Sequence, residues 1–213
     1  MTRPIALALT GASGAQYGLR LLECLLASKQ RVYLMLSKPA QVVIGMETDW
    51  QLPGRTGAIQ RFLVERFDCY PEQLQVYGKE EWTAPIASGS AAARAMVVCP
   101  CTTGTLGAIA SGLSDSLIER AADVSLKEGR KLILVIRETP FSVIHLENML
   151  KLARMGAVIL PANPGFYHRP QRIEEIVDFI VARVLNQLDI ANELGPRWGS
   201  TLPHHRNDTD SMS

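Results

Sequence analysis

Short apolar runs alternate with stretches of helical periodicity along most of this chain. The helical stretches cover 14–28, 38–47, 59–67, 106–111, 115–128, 142–155 and 172–188. The apolar runs predict strands over 5–10, 31–36, 74–77, 95–99, 131–136 and 157–160. Because strands that alternate with helices form right-handed βαβ units, we predict an α/β fold, a Rossmann-like three-layer α/β/α arrangement with a parallel sheet.

The residues directly after the strands are the first candidates for function, because ligands of such sheets bind at the carboxyl ends of the strands. We expect the residues at these points to converge on one edge of the sheet. They are small, hydroxyl-bearing or charged: Gly11, Ala12, Ser13, Ser37, Thr102, Thr103, Gly104, Thr105, Arg137, Glu138 and, in the loop after the last strand, Tyr167.

The turn after the first strand, Gly11-Ala12-Ser13-Gly14, predicts a socket for a nucleotide-type phosphate. Glycines let backbone N–H groups face a ligand, and the N-terminus of the following helix adds partial positive charge. The turn does not match the GxGxxG pattern, and no P-loop lysine follows it. The alternative is a tight turn in which Ser13 is the helix N-cap.

The hydroxyl-rich segment 101–105 is more specific, because small residues let backbone and side-chain donors approach a flat or phosphorylated ligand closely. The alternative interpretation of this segment is that Thr102 or Thr103 caps the following helix. Helix capping is also the alternative interpretation of Ser37, after the second strand. The turn at 11–14 and the one at Ser37 follow neighbouring strands, and together they favour a site for a phosphate or a ribityl chain.

Several charged residues add to this picture. Arg137 and Glu138 stand at the end of a buried strand, where an arginine can grip a phosphate and a glutamate can move a proton. Arg120 and Lys127 share one helix face two turns apart, although spacing alone favours a solvated surface for them. A surface charge in contact with solvent is likewise the alternative interpretation of Arg183, in the last helix.

The composition narrows the class of protein. The chain has 213 residues, of which 47% are apolar, and its net charge of +1 gives no sign of a nucleic-acid or anionic membrane partner. No run of ~18 apolar residues exists, so we expect no membrane insertion. The four cysteines, without a histidine cluster, predict reduced thiols in a cytoplasmic protein and no metal site. We predict one domain over 1–195 and a polar tail over 196–213.

Several long motifs, in order along the chain, carry a specific resemblance. They are LTGASGAQYG at 9–18, SGS at 88–90, CPCTTGTLGAIASGLSDSLIERAADVSLKEGRKL at 99–132, and RETPFS, HLENMLKL and GA within 137–157. Over roughly 4–194 the chain resembles the UbiX-type flavin prenyltransferases, within the wider flavoprotein family that includes the flavin-dependent cysteine decarboxylases.

This resemblance implies a flavoprotein fold that binds FMN and assembles as a homo-oligomer, a dodecamer built from trimers. It implies metal-independent transfer of the dimethylallyl group of dimethylallyl monophosphate to N5 and C6 of reduced FMN. The product, prenylated FMN, would serve as cofactor for a partner UbiD-type decarboxylase, for instance in ubiquinone biosynthesis.

The resemblance also assigns roles to residues. Ser13 and Glu138 fall near flavin N5, and Glu47, which lines the prenyl pocket, is counted with them as catalytic. The FMN-binding positions are Gly11, Ala12, Ser13, Ser37, Thr102, Thr103, Gly104, Thr105 and Arg137. The substrate positions are Trp82, Ser88, Gly89 and Ser90, with Arg120, Lys127, Tyr167 and Arg183 around the phosphate, some of them donated across subunits.

The main alternative is an FMN-dependent decarboxylase of an aromatic or cysteinyl acid. The cysteine decarboxylases carry PASANT where this chain has PCTTGT at 100–105, so Gly104 replaces their asparagine. A non-catalytic flavin-binding subunit is a third possibility. The joint presence of the catalytic and phosphate-binding candidates argues against it.

Overall fold

The computed structural model describes residues 3–195, and six strands within them form one all-parallel sheet. Their order in the sheet is β3-β2-β1-β4-β5-β6, the strand order of doubly wound dinucleotide-binding sheets. The strands are β1 (Ile5–Leu9), β2 (Val32–Leu36), β3 (Leu74–Tyr77), β4 (Ala95–Cys101), β5 (Lys131–Ile136) and β6 (Val158–Ile159).

Seven α-helices accompany the strands within the same residues. They are α1 (Ala15–Ala27), α2 (Lys38–Glu47), α3 (Thr56–Arg66), α4 (Thr103–Ala110), α5 (Leu117–Lys127), α6 (Val143–Arg154) and α7 (Ile173–Gln187). The predicted α/β fold with a parallel sheet is therefore confirmed, and each predicted strand and helix is present. The predicted polar tail over 196–213 lies outside the described residues.

The bounds differ most from the predicted ones at α3, which begins at Thr56 instead of residue 59, and around β4 and α4. The strand continues to Cys101, and the helix begins at Thr103 instead of residue 106. Glycine and threonine are weak helix formers, so the sequence pattern placed the start of α4 too late. The helix begins early because the Thr102 hydroxyl accepts a hydrogen bond from the Thr105 backbone N–H, at 3.1 Å.

The helices cover both faces of the sheet. On one face, α1, α2, α3 and α7 pack against strand residues that include Val97, and on the other face α4, α5 and α6 pack against residues that include Val98. Successive strand residues point to opposite faces, so a strand covered on both sides must be apolar throughout. All five residues of β1 and all seven of β4 are accordingly buried.

Gly18 marks the closest approach between α1 and the sheet. A Cβ atom at this position would lie 2.3 Å from the Cys99 carbonyl oxygen and 2.7 Å from Cγ of Leu9. The missing side chain therefore lets α1 rest directly on the end of β4. Among residues 3–195, no helix is both long and apolar enough to cross a membrane.

We predict that Gly18→Ala lowers the free energy of unfolding by about 1–3 kcal/mol, because the new methyl group overpacks against backbone. Gly45→Ala is the matched control, since the nearest heavy atom to its added Cβ would be 3.9 Å away. In that open position alanine should be neutral or stabilise α2 by up to about 1 kcal/mol. Equilibrium urea denaturation measures both changes, and equal effects of the two substitutions would contradict the close contact at Gly18.

Candidate functional site

The carboxyl ends of the central strands lie side by side and are joined by hydrogen bonds. The Ser37 N–H donates to the Leu9 carbonyl at 3.1 Å, which links the ends of β2 and β1. The Arg137 N–H donates to the Cys101 carbonyl at 3.2 Å, which links the ends of β5 and β4. The predicted FMN-binding segments that follow these four strands are therefore neighbours at one edge of the sheet.

The N-terminus of α1 is occupied by a carboxylate of the chain itself. Oε2 of Glu47, the last residue of α2, accepts hydrogen bonds from the backbone N–H groups of Gly14 at 2.8 Å and Ala15 at 2.9 Å. The Ser13 side chain lies near this carboxylate and favours its ionised form, which lowers the pKa of Glu47. The predicted phosphate socket at this turn is therefore wrong, because Glu47 already takes the positive end of the helix.

The N-cap of α1 also differs from the sequence-based alternative. The N-cap residue is Gly14, with φ of 94°, and it has no side chain that could cap the helix. Ser13 lies one residue earlier and is exposed. Its hydroxyl is therefore available at the sheet edge, near Glu47 rather than at the start of the helix.

The surroundings of Glu47 favour its ionised form. Partial burial opposes ionisation, but Ser13 and the hydrogen bonds from Ala15 and Gly14 outweigh it, and the positive charge of Arg137 acts in the same direction. Together these contacts hold the pKa of Glu47 below its ordinary value. Glu47 is thus a hydrogen-bond acceptor fixed beside the Ser13 hydroxyl.

The N-terminus of α4 offers an open cradle of hydroxyl groups. Thr102 is its N-cap, and the Thr102 and Thr105 hydroxyls lie 2.9 Å apart. Gly104 is exposed, and a Cβ atom there would meet nothing closer than the Thr102 hydroxyl at 3.9 Å. Because this helix end has hydroxyl donors and free space, it suits an anion or a ribityl chain.

A cavity of about 340 Å³ opens between this cradle and the ends of the neighbouring strands. The sequence-predicted residues Ser37 and Thr105 line it. Several other lining residues were not predicted from the sequence, although those at the ends of β1 and β3 obey the same strand-end rule. The missed residues include Thr10, Tyr77, Lys79, Ser116 and Glu119.

Glu138 lies beside the α4 cradle. The Thr103 hydroxyl donates to Glu138 Oε2 at 3.2 Å, and the Thr139 N–H donates to Oε1 at 3.1 Å. The carboxylate is half-buried, whereas the neighbouring Arg137 is exposed. The structure thus holds one carboxylate, Glu47, at the β1–α1 turn and a second, Glu138, at the start of α4.

Arg120 and Lys127 lie on α5, against the segment that contains Ser88, Gly89 and Ser90. Arg120 Nε donates to the Ala87 carbonyl at 3.0 Å, and its Nη1 pairs with Asp123 at 2.9 Å. Lys127 Nζ pairs with Glu128 at 2.6 Å. A Cβ atom at Gly89 would lie 3.0 Å from Lys127 Nζ, so this loop packs directly on the end of α5.

The loop that leads to this segment carries Trp82, whose side chain is 47% exposed. A large aromatic ring with this exposure is available to contact a ligand or another chain. The residues around it, Ala84 and Ile86, belong to the core on the α5 side of the sheet.

Tyr167 and Arg183 line a different cavity, of about 650 Å³, along α7. The Tyr167 ring packs edge-on against Phe179, with centroids 5.9 Å apart, and His168 stacks on the same ring at 5.8 Å. Arg183 follows Phe179 by one helical turn, so both residues lie on one side of α7. The helix therefore brings the two predicted phosphate ligands to the same cavity.

The four predicted phosphate ligands consequently form two separate groups. α5, which carries Arg120 and Lys127, packs on one face of the sheet, and α7, which carries Arg183, packs on the other. Within one chain, therefore, the two helices do not direct these side chains to a common point. Among residues 3–195, no group of His, Cys, Asp and Glu side chains is arranged to hold a metal ion.

Comparison with known proteins defines the class to which this fold and site belong. The family model described as Flavoprotein matches residues 1–185. The chain therefore belongs to the flavoprotein family. A relative named flavin prenyltransferase UbiX, from Pseudomonas aeruginosa, is 60% identical over 195 residues, which cover 92% of this chain and 93% of the relative. The predicted relation to UbiX-type enzymes is thereby confirmed.

Two solved structures are similar over almost the whole fold. One is described as a dodecameric FMN-dependent UbiX-like decarboxylase from Escherichia coli O157:H7. It has a TM-score of 0.81 and 39% identity, and the match covers 92% of this chain and 98% of that one. The other is a UbiX protein in complex with FMN and dimethylallyl pyrophosphate. Its TM-score is 0.78 at 40% identity, with 92% of this chain and 100% of that chain covered.

We predict that Glu47→Gln lowers the free energy of unfolding by about 1 kcal/mol at neutral pH, because a neutral amide caps α1 more weakly than a carboxylate. The folded-state pKa of Glu47 is depressed, so its stabilising effect is present above the ordinary value of 4.5. The effect is lost as the pH falls through the lower folded-state pKa. Urea denaturation across this range measures the difference between the two proteins.

Glu65→Gln is the control, because this glutamate is exposed on α3. Such a surface change should alter the free energy of unfolding by less than about 0.5 kcal/mol at any pH in the range. A Glu47→Gln difference that stays constant as the pH falls would contradict the capping role of the Glu47 carboxylate.

Proposed function

We propose that this protein joins the dimethylallyl group of dimethylallyl monophosphate to N5 and C6 of reduced FMN. The observation that carries the proposal is the placement of Ser13, Glu47 and Glu138 at the same sheet edge as the hydroxyl cradle of α4. The 60% identity to a flavin prenyltransferase supports this reaction.

The reaction balances without an oxidant. A bond would form between flavin N5 and C1 of the dimethylallyl group while the C–O bond to phosphate breaks and N5 loses its proton. A second bond would form between flavin C6 and C3 of that group, as the C2–C3 double bond takes up one proton at C2 and C6 loses its own. One proton is released overall, so the flavin gains C5H8 and inorganic phosphate leaves. The protein must bind both substrates, exclude water, neutralise the leaving phosphate and move protons.

The cavity beside α4 is the best place for the phosphate and ribityl end of FMN. Ser37 and Thr105 offer hydroxyl donors there, and the N-terminus of α4 adds partial positive charge. The corresponding end of α1 is taken by Glu47, so the flavin ring would lie near the Gly11–Ser13 turn. Arg137, exposed at the end of β5, would contact the same ligand.

Ser13, Glu47 and Glu138 would handle protons near flavin N5. The ionised Glu47 carboxylate, fixed by the Gly14 and Ala15 N–H groups, lies beside Ser13 and would serve as the acceptor for the serine hydroxyl. Glu138, held by the Thr103 hydroxyl, would take the proton that is released when the bond to C6 forms.

The substrate phosphate would be bound by cations from different subunits. Arg120 and Lys127 lie on one face of the sheet and Arg183 on the other, so a shared site requires a neighbouring copy of this chain. We therefore propose a homo-oligomer, a dodecamer as described for the E. coli neighbour. Because these side chains supply fixed positive charge, we propose that no metal is required.

The prenylated flavin would then pass to a UbiD-type decarboxylase, for instance in ubiquinone biosynthesis. We place this reaction in the cytoplasm. The four cysteines, all free in the structure, suit its reducing environment. Burial also raises the pKa of Cys24 to about 11 and that of Cys101 to about 12, which keeps both thiols protonated and unreactive.

Direct decarboxylation remains the second candidate, because the E. coli neighbour is described as a decarboxylase.

Mass spectrometry of the flavin separates prenyl transfer from decarboxylation. We predict that the purified protein, given reduced FMN and dimethylallyl monophosphate with a chelator present, yields flavin heavier by C5H8. Unmodified flavin together with release of CO2 from an added aromatic acid would instead support the decarboxylase.

Subunit exchange tests the shared phosphate site. We predict that Lys127→Ala and Arg183→Ala are each nearly inactive, and that co-assembly of equal amounts restores about a quarter of wild-type activity by random assortment around a closed assembly. Tyr167→Phe mixed with Arg183→Ala is the control. Those two residues line the same cavity of one chain. In this mixture no chain carries both of them intact, so subunit exchange cannot restore the site. No recovery in the first mixture would contradict a site shared between subunits.

A further inference from the structure

Thr10 is a buried polar residue at the point where β1 ends. The five residues of β1 before it are buried and apolar, and Thr10 itself is only 3% exposed. A hydroxyl group in such a position must find hydrogen-bond partners, because an unpaired buried polar group is costly. The identity of those partners indicates what the residue does.

Both partners of the Thr10 hydroxyl lie at the end of β4. The hydroxyl donates to the Pro100 carbonyl at 2.8 Å and accepts from the Thr102 backbone N–H at 2.9 Å. The regular pairing of β1 with β4 ends at Ala8 and Val98. Pro100 has no N–H with which to extend the pairing. The Thr10 backbone N–H still donates to the Pro100 carbonyl, at 3.2 Å, so the backbone connection reaches Pro100. The Thr10 side chain extends it by one further step, to the Thr102 N–H.

Thr102, the residue held in this way, is the N-cap of α4. Its own hydroxyl accepts from the Thr105 N–H and lies 2.9 Å from the Thr105 hydroxyl. A chain of hydrogen bonds thus runs from the end of β1 to the first turn of α4. Thr10 also lines the cavity of about 340 Å³ beside that turn.

We infer that Thr10 is a positioning residue for the flavin site, fixing the hydroxyl cradle of α4 relative to the Gly11–Ser13 turn. This inference rests on the proposed FMN site. Loss of the Thr10 hydroxyl leaves the Thr102 N–H without its acceptor, so the start of α4 is held less firmly, although the Thr10 N–H still donates to the Pro100 carbonyl. Ligand sites lose affinity when such supporting contacts are removed.

The test compares Thr10→Val, which keeps the shape and removes the hydroxyl, with Thr10→Ser, which restores it. We expect Thr10→Val to weaken FMN binding about tenfold in a fluorescence titration, and Thr10→Ser to bind within about twofold of wild type. In the FMN-free protein, Thr10→Val should also speed amide hydrogen exchange in the segment 102–106.

Ser125→Ala is the matched control, because Ser125 is also a buried residue, 4% exposed, whose hydroxyl donates to the Ala121 carbonyl at 2.7 Å within α5. It should lower stability without changing FMN affinity or exchange in the segment 102–106. If Thr10→Val leaves FMN affinity unchanged, or if Thr10→Ser fails to restore it, Thr10 is a structural residue only. If Thr10→Val does not fold, Thr10→Ala provides the same comparison.

The titration contains no dimethylallyl phosphate, so its result does not depend on prenyl transfer. A wild-type protein that binds FMN but leaves it unmodified would overturn the proposed function and still give a result for Thr10. A wild-type protein that binds no FMN would overturn both proposals. In that case the exchange measurement would still report whether Thr10 fixes the start of α4.

Discussion

The hydrogen bonds from Gly14 and Ala15 to the Glu47 carboxylate decide which helix N-terminus at the sheet edge is occupied and which is left open. A parallel sheet gathers several helix N-termini at one edge, and each is a potential anion site. In this protein the end of α1 is satisfied internally, and the end of α4 remains open beside a cavity. Of these two helix N-termini, therefore, only that of α4 is left open for an external anion.

The second organising feature is the separation of charged groups by the sheet. One group lies with α5 against the loop around Gly89, and the other lies with α7 beside the Tyr167 ring. The apolar strands between them leave no path through the layer. The fold thus gathers the predicted flavin-binding residues at one edge of the sheet and divides the predicted phosphate ligands between its two faces.

The sequence predicted the elements well because its signals are local. Continuous apolar strands, the Ser37 and Thr102 caps and the strand-end rule all follow from neighbouring residues. The role of Glu47 in capping α1 could not be predicted in this way, because it depends on how α2 returns to the sheet 33 residues later. The phosphate ligands were predicted from the resemblance, and the division of these residues between the two faces of the sheet is visible only in the three-dimensional structure.

The division of charges between the two faces of the sheet has a consequence for how the protein behaves at different concentrations. If one chain holds only part of the phosphate site, catalytic capacity follows the law of mass action and depends on how much protein is assembled. Activity per molecule would then fall on dilution while each chain stays folded. The amount of protein that a cell makes would therefore set its rate per subunit as well as its total output.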